Sequence, residues 1–318
     1  MSTPSAVATP VDFDTYGDYV VKASTAPTGA FNRPVYRFRD RITADGSSGY
    51  KAEPGRYHLY VSYACPWAHR AIIVRSLKKL ENVVTLSAVD PLRDGRGWAF
   101  REGDGHTPDP VNGFRLLREA YEATEPGYDG HVSVPVLWDR ETGRIVSNNF
   151  PDITIDLNTE FNQWSDTSLD LYPEPLRPEI DTLNDLIYRT INNGVYRAGF
   201  AATQSAYEEA VTTLFATLDT LETRLADSQY LLGDHLTESD IRLWVTLVRF
   251  DTVYHTHFKT NLHRLTDYKS LWAYTRHLYE IPAFRETTDF THIKTHYYRT
   301  HPQLNPSRIV PLGPILTW

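Results

Sequence analysis

The sequence predicts an N-terminal arm followed by two domains, a small α/β domain and an all-α domain. Its 318 residues exceed the roughly 100–200 residues of a typical single domain. Short aromatic and β-branched runs occur up to about residue 150, whereas apolar residues recur at helical spacing from about residue 152 onward. We place the arm at 1–50, the α/β domain at 51–160 and the helical domain at 161–318.

The composition of the chain excludes several classes of protein. Hydrophobic residues make up 41% and aromatic residues 13% of the sequence, which is enough for a packed core and argues against a disordered chain. The formal net charge of −8 argues against a nucleic-acid-binding protein, which normally has a basic face. No apolar run approaches the ~20 residues that cross a membrane, and no secretory signal is visible. We therefore expect a cytoplasmic protein without nucleic-acid or membrane partners.

The predicted α/β domain starts with a strand, a helix and a second strand. Residues 57–63 form a short aromatic and β-branched run, which is typical of a buried strand. Pro66 suits the first turn of a helix, because that turn has no use for its missing N–H group. Residues 81–90 predict the second strand.

A β-hairpin is predicted at 131–149, after a loop at 91–113 and a short helical segment at 114–123. The segment DRETG supplies the turn of this hairpin. Pro135 lies inside the first hairpin strand, where proline requires a sheet edge, a bulge or a cis peptide bond.

The second half of the chain predicts helices. Thr237 and Asp240 form a capping box that marks a helix start, and residues 302–318 are proline-rich and predict extended chain. Apolar residues recur at helical spacing in four segments, 180–196, 205–227, 239–254 and 270–281.

The only cysteine of the chain, Cys65, is the main candidate for chemistry. A single cysteine excludes an internal disulfide and a cysteine-based zinc site. Cys65 precedes the predicted helix, whose free amides and dipole stabilise a thiolate, so we expect its pKa to lie below ~8.5. His69 and Arg70 are candidate nearby positive charges, and Trp67 is a candidate apolar wall. A buried structural cysteine is the alternative, but the strand–Cys-Pro–helix context favours a nucleophile.

This order of elements resembles the thioredoxin superfamily, and the helical second half resembles the glutathione transferases. The combination implies a thioredoxin-like N-terminal domain plus an all-α C-terminal domain, the glutathione transferase fold. A closer resemblance, from about Phe31 to Gly313, is to the glutathionyl-hydroquinone reductases, or xi-class glutathione transferases, which implies a homodimer. It is carried by GRYHLYVSYACPWAHR (55–70), GHVSVPVLWDRETGRIVSNN (130–149), LNTEFN (157–162), NNGVYRAGFAATQ (192–204), YLLGDHLTESDIRLWVTLVRFDTVY (230–254), HFKTNL (257–262) and HIKTHYYRTHPQLNP (292–306).

The resemblance implies a thiol-dependent reductase. In this family the cysteine, here Cys65, attacks the sulfur of a glutathionyl-hydroquinone thioether, releases the hydroquinone and forms a mixed disulfide that a second thiol resolves. Val134 corresponds to the residue whose backbone pairs with the cysteinyl amide of the thiol. Trp98 corresponds to a tryptophan near the thiol substrate, with core packing as the alternative.

Three tyrosines correspond to residues that line the hydroquinone pocket of the family. They are Tyr196, Tyr297 and Tyr298. A phenol ring can stack on a quinol, and its O–H group can hydrogen-bond a quinol oxygen. Since the chain has 20 tyrosines, core packing is again the alternative.

The chain departs from the family at three predicted thiol-binding positions. His131 replaces an arginine, and Asn149 and Phe150 replace a Glu-Ser pair that holds the charged γ-glutamyl head. Each lost contact costs about 1.5–3 kcal/mol. Either the site has drifted, or the thiol is a sugar thiol such as mycothiol, against which Phe150 could pack. The 25 arginines against 7 lysines fit a GC-rich actinobacterial source that uses mycothiol.

Other functions have weaker support. A dehydroascorbate reductase or thiol transferase of the same fold is the first alternative, and a non-catalytic ligand-binding module is the second. We expect no metal at His255, His257 and His263, because no further ligand stands out. Nucleotide-binding glycine patterns and the GxSxG pattern are absent from the sequence, so the expected cosubstrate is a low-mass thiol, either glutathione or mycothiol.

Overall fold

A computed structural model describes residues 7–20 and 24–318 of the chain. The arm contains a short helix, α1 (Phe13–Tyr16), and an antiparallel hairpin of β1 (Ser24–Thr25) and β2 (Phe31–Asn32). After this hairpin the chain continues along the sheet domain, where Asp40 N donates to the carbonyl of Val146. The arm is therefore attached to the sheet domain by hydrogen bonds.

A four-stranded mixed sheet forms the first domain, with strand order β4-β3-β5-β6. The central strand β3 pairs in parallel with β4 and antiparallel with β5, and β5 pairs antiparallel with β6. Every residue of β3 is buried, and its one polar side chain, His58, is hydrogen-bonded to Thr85 and Ser87 of β4. The elements of this domain are β3 (Tyr57–Val61), α2 (Pro66–Leu77), β4 (Thr85–Ala88), α3 (Arg118–Thr124), β5 (Val136–Asp139), β6 (Arg144–Ser147) and α4 (Phe150–Thr159).

The second domain is helical. Single-turn 3₁₀ segments occur at Glu174–Leu176 and Leu265–Asp267, and π-helical segments at Tyr188–Asn192 and Phe250–Tyr254. Its α-helices are α5 (Arg177–Ile187), α6 (Gly194–Gly199), α7 (Gln204–Arg224), α8 (Glu238–Arg249), α9 (His255–His257), α10 (Lys269–Glu280), α11 (Pro282–Arg285) and α12 (Phe290–Thr300). Within the described residues, no helix is both long enough and apolar enough to span a bilayer.

Helix α2 lies between the two domains, packed against α4 on one side and α8 on the other. The nine residues 66–74 are all buried, because both sides of the helix are covered. Its N-terminus, and with it Cys65, is therefore fixed by contacts with the sheet domain and with the helical domain.

Most predicted elements are present. The β-α-β start, the hairpin and the capping box of Thr237 and Asp240 are confirmed, and 302–318 contains neither helix nor strand. The helices predicted at 180–196 and 239–254 each include a π-helical turn. The sequence prediction missed α12, whose threonine, tyrosine and histidine residues have only moderate helix propensity.

Candidate active site

Cys65 occupies the N-cap position of α2, as the Cys-Pro sequence predicts. Its backbone is extended (φ −80°, ψ 118°), and Pro66 fills the first helical turn. The half-buried thiol donates a hydrogen bond to the carbonyl oxygen of Val134, with 3.5 Å between sulfur and oxygen. The Val134–Pro135 peptide bond is cis, which is one of the three alternatives that the sequence left open for Pro135. The loop before β5 therefore places a backbone carbonyl directly opposite the sulfur.

The sulfur opens into a cavity of about 90 Å³, so Cys65 is not sealed in the core. The cavity lies between the arm, the sheet domain and α12. Its walls are mainly aromatic and basic. The lining residues are Phe31, Arg33, Pro34, Tyr36, Cys65, Pro66, Trp67, Arg93, Trp98, His131, Ser133, Val134, Tyr196, Phe200, His296, Tyr297 and His301.

Arg249, at the end of α8, holds the backbone in front of Cys65. Its guanidinium is fully buried and donates to the carbonyls of Tyr63 and Ala64, at 2.9 and 3.2 Å. It also contacts His69 Nδ1 at 3.0 Å. Because Arg249 belongs to the helical domain, these bonds join that domain to the cysteine loop. Sequence analysis missed this residue, although an arginine within the apolar run WVTLVRF was a usable signal.

Burial raises the pKa of the Cys65 thiol, against the lowered value expected from the sequence. Hydrogen bonds from the amides of Ala68 and Trp67 and the charges of Arg249 and Arg33 act in the opposite direction, but they do not outweigh burial. The expected helix-end stabilisation is therefore present, but it is smaller than the effect of burial.

His69 and Arg70, the expected sources of positive charge, do not supply it to the sulfur. Burial and the charge of Arg249 lower the pKa of His69 well below its usual range, so its imidazole is neutral at pH 7. Arg70 donates to Asn192 Oδ1 at 2.7 Å and stacks over the Phe150 ring. Neither side chain places a positive charge next to the Cys65 sulfur.

Two of the three predicted pocket tyrosines line the cavity. The hydroxyls of Tyr196 and Tyr297 hydrogen-bond each other, and that of Tyr297 also lies 3.1 Å from the Tyr254 hydroxyl. Burial raises the pKa of Tyr196 and Tyr297 well above the usual range, so both stay protonated. Tyr298 instead donates to the carbonyl of Thr252 at 3.2 Å and does not line this cavity.

Trp98 lines the cavity as a buried indole. Its ring stacks on His296, with 5.1 Å between the ring centroids, and the guanidinium of Arg93 lies over it at 4.2 Å. His131 is half-buried in the same wall, and its Nδ1 lies 3.4 Å from the Tyr19 hydroxyl. The structure thus brings Trp98, His131 and Val134 together around Cys65.

Asn149 and Phe150 do not line the Cys65 cavity. Phe150 is 3% exposed, and its ring packs against Trp67 and Tyr188 at centroid distances of 4.6 and 6.2 Å. Asn149 caps α4, and its amide bonds Asp152. Both residues face a separate cavity of about 570 Å³. Phe150 is therefore part of the wall between the two cavities, because its apolar ring fills the space behind Trp67.

We predict that replacing Arg249 with methionine makes the Cys65 thiol less acidic. Removing a nearby positive charge disfavours the thiolate, so iodoacetamide alkylation at neutral pH should slow by on the order of tenfold. The measurement is the alkylation rate as a function of pH. Arg242→Gln, on the same helix but paired with Glu238, is the matched control and should leave the profile unchanged. An unaltered profile in a folded Arg249→Met protein would contradict the electrostatic role of Arg249.

Comparisons with known proteins give the family. Residues 204–277 match the family model for the glutathione S-transferase C-terminal domain. Glutathionyl-hydroquinone reductase YqjG of Escherichia coli is 47% identical over 293 residues, 90% of this chain and 89% of the relative. The xi glutathione transferase structure from Phanerochaete chrysosporium superposes with TM-score 0.89 and 49% identity, covering 92% of this chain and 95% of that one.

A glutathione-bound structure of the Escherichia coli protein also superposes, with TM-score 0.87 and 47% identity, covering 88% of this chain and 94% of that one. Because these matches cover about nine-tenths of the chain, they extend over both domains. The protein belongs to the glutathionyl-hydroquinone reductases, the xi class of glutathione transferases.

Proposed function

We propose that this protein is a thiol-dependent reductase that uses Cys65 to remove a low-mass thiol from S-conjugated hydroquinones. The main support is the cavity that connects the Cys65 sulfur, at a helix N-terminus, with indole and phenol side chains. The name of the Escherichia coli relative points to the same substrate class. A homodimer and a cytoplasmic location remain predictions.

The proposed reaction has two steps. The Cys65 sulfur attacks the thioether sulfur, forming an S–S bond as the carbon–sulfur bond to the ring breaks. The ring carbon takes a proton, which balances the one that the Cys65 thiol loses, and the hydroquinone leaves. A second thiol then attacks the mixed disulfide, giving a symmetric disulfide and restoring Cys65.

The hydrogen bond between Cys65 and Val134 suggests how substrate binding would change the protonation state of the thiol. The Val134 carbonyl oxygen accepts a hydrogen bond from the Cys65 thiol. In the proposed complex the cysteinyl amide of the substrate takes this acceptor. The remaining contacts of the sulfur, the amides of Trp67 and Ala68 and the charge of Arg249, all favour the thiolate. Substrate binding would thus activate the nucleophile.

The hydroquinone would lie against Tyr196 and Tyr297. Their rings form an aromatic wall, and their hydroxyls are protonated and able to donate to a quinol oxygen. A proton donor at this oxygen would stabilise charge that develops on the ring as the carbon–sulfur bond breaks.

The low-mass thiol is proposed to be glutathione, with mycothiol as the second candidate. Glutathione is supported by the glutathione-bound Escherichia coli structure. Mycothiol was suggested by His131, Asn149 and Phe150, but Phe150 is buried behind Trp67 and its ring does not line the cavity where a sugar would pack. His131, in place of the arginine of the family, still distinguishes this pocket from that of other members.

Replacing Cys65 with serine tests the proposed activity. We expect the variant to lose turnover of an S-glutathionyl-hydroquinone by at least about a thousandfold, because serine cannot form the mixed disulfide. Hydroquinone release is measured by chromatography, with calorimetric binding of the conjugate as the control for folding. Wild-type turnover in the variant would overturn the mechanism. A wild-type protein that binds the conjugate but releases no hydroquinone would indicate a binding module.

The tyrosines provide a second test with an internal control. Tyr297→Phe removes a hydroxyl from the cavity, and we expect kcat/KM for the conjugate to fall about tenfold, the effect of one hydrogen bond to a charged group. Tyr298→Phe removes the adjacent hydroxyl, which bonds Thr252 outside the cavity, and should change kcat/KM less than twofold. Equal losses in both variants would argue against a hydroquinone site at Tyr297.

The identity of the thiol is tested by supplying glutathione or mycothiol as the resolving thiol, each with its own S-conjugated hydroquinone. We expect a higher kcat/KM with glutathione. A preference of tenfold or more for mycothiol would instead assign the sugar thiol. A substrate panel with dehydroascorbate and a protein mixed disulfide separates the reductase from the related activities of this fold.

A further inference from the structure

Arg93 is a buried cation in the wall of the Cys65 cavity. Its side chain lies between two rings, with the guanidinium carbon 3.8 Å from the Tyr19 centroid and 4.2 Å from the Trp98 centroid. The residue is only 6% exposed, and its Nε has no hydrogen-bond partner among the described residues. A buried charge with an unused donor is costly unless something pairs with it.

The acidic residues beside Arg93 are already paired with other arginines. Asp90 binds Arg101 at 2.9 Å, and Asp94 binds Arg96. Within residues 7–20 and 24–318, no carboxylate lies within salt-bridge distance of Arg93, and the remaining residues, 1–6 and 21–23, include no aspartate or glutamate. The protein itself therefore leaves the charge of Arg93 uncompensated.

The polar neighbour of Arg93 is a neutral histidine. His296 Nδ1 lies 2.8 Å from the carbonyl of Pro91 and donates to it, which leaves its Nε2 as an acceptor 3.4 Å from Arg93 Nη2. Burial and the charge of Arg93 lower the pKa of His296 well below its usual range. His296 thus orients the guanidinium without neutralising it.

A second cation lies in the wall of the same cavity. Arg33, from the arm, places its guanidinium carbon 4.5 Å from the Trp67 ring and 4.7 Å from the Tyr196 ring. Its Nε donates to the neutral Asn193, and its Nη2 has no partner among the described residues. The cavity around Cys65 is therefore lined by two guanidinium groups that have unused donors and no described acid.

We propose that Arg93 forms a carboxylate-binding subsite beside Trp98, so that the preferred substrate carries an anionic group next to its reacting sulfur. The guanidinium matches a carboxylate in geometry and charge. The carboxylate belongs either to the thiol or to the quinol ring, and the same contact serves both. This inference rests on the proposed function, because it names the substrate class of that site.

Two matched ligand pairs test the subsite. The first pair is glutathione and its glycine ethyl ester, with the dissociation constant measured by calorimetry, which requires no turnover. The second pair is an S-glutathionyl conjugate of a neutral hydroquinone and one of a carboxyl-substituted hydroquinone, compared by kcat/KM. Wild-type turnover of the neutral conjugate tests the proposed function separately from the subsite.

The variants are Arg93→Gln and Arg93→Lys. The control is Arg96→Gln, because Arg96 lies on the same loop and is paired with Asp94. We expect the wild type to prefer the carboxylate member of one pair by about ten- to a hundredfold. Arg93→Gln should lose that preference, Arg93→Lys should keep part of it, and Arg96→Gln should keep all of it.

The pair that responds identifies the source of the carboxylate. A response in the glutathione pair assigns the thiol carboxylate, and a response in the conjugate pair assigns the quinol. The proposal is overturned if the wild-type protein discriminates in neither pair, a result that needs no variant to fold. It is also overturned if Arg93→Gln keeps the full wild-type preference, which would mean that Arg93 only packs against its two rings.

Discussion

The site depends on the contact between Arg249 and the backbone that leads to Cys65. A fully buried guanidinium would be strongly destabilising without partners, and here its N–H groups meet the carbonyls of Tyr63, Ala64 and Val245. These carbonyls come from both domains. Arg249 therefore joins the helical domain to the backbone that carries the sulfur.

The same arrangement has opposing effects on the pKa of the Cys65 thiol. Burial favours the neutral form of Cys65, whereas the helix amides and the two nearby guanidinium groups favour the thiolate. Burial is the larger effect, and the thiol donates a hydrogen bond to the Val134 carbonyl. In the proposed complex the substrate would take this acceptor and so remove a contact that favours the neutral thiol.

The sequence predicted the parts of the site that are local in the chain. The strand, Cys-Pro and helix are adjacent residues, so the N-cap position of Cys65 followed from turn and helix chemistry. A proline inside a strand left a sheet edge, a bulge and a cis bond as alternatives at Pro135, and the structure has the cis bond. The sequence did not show which of Tyr297 and Tyr298 lines the cavity. Successive residues of a helix point about 100° apart, and only Tyr297 faces the cavity.

The sequence could not predict the contacts between residues that lie far apart in the chain. Arg33, Arg93 and Arg249 come from the arm, a loop and a distant helix. Only the folded chain brings Arg33 and Arg93 into the wall of the Cys65 cavity and Arg249 against the backbone before Cys65. Phe150 was expected to contact the thiol, but its side chain turns into the packing behind Trp67. The position of Phe150 at the N-terminus of α4 did not determine whether its ring would face the Cys65 cavity or the separate cavity.

The central claim is that Cys65 takes the thiol from the conjugate. Mass spectrometry of the protein mixed with one equivalent of an S-glutathionyl-hydroquinone, with no second thiol present, tests it most directly. The account predicts one glutathionyl group on the peptide that contains Cys65 and an equal amount of free hydroquinone. Release of hydroquinone from a protein whose Cys65 stays unmodified would contradict it.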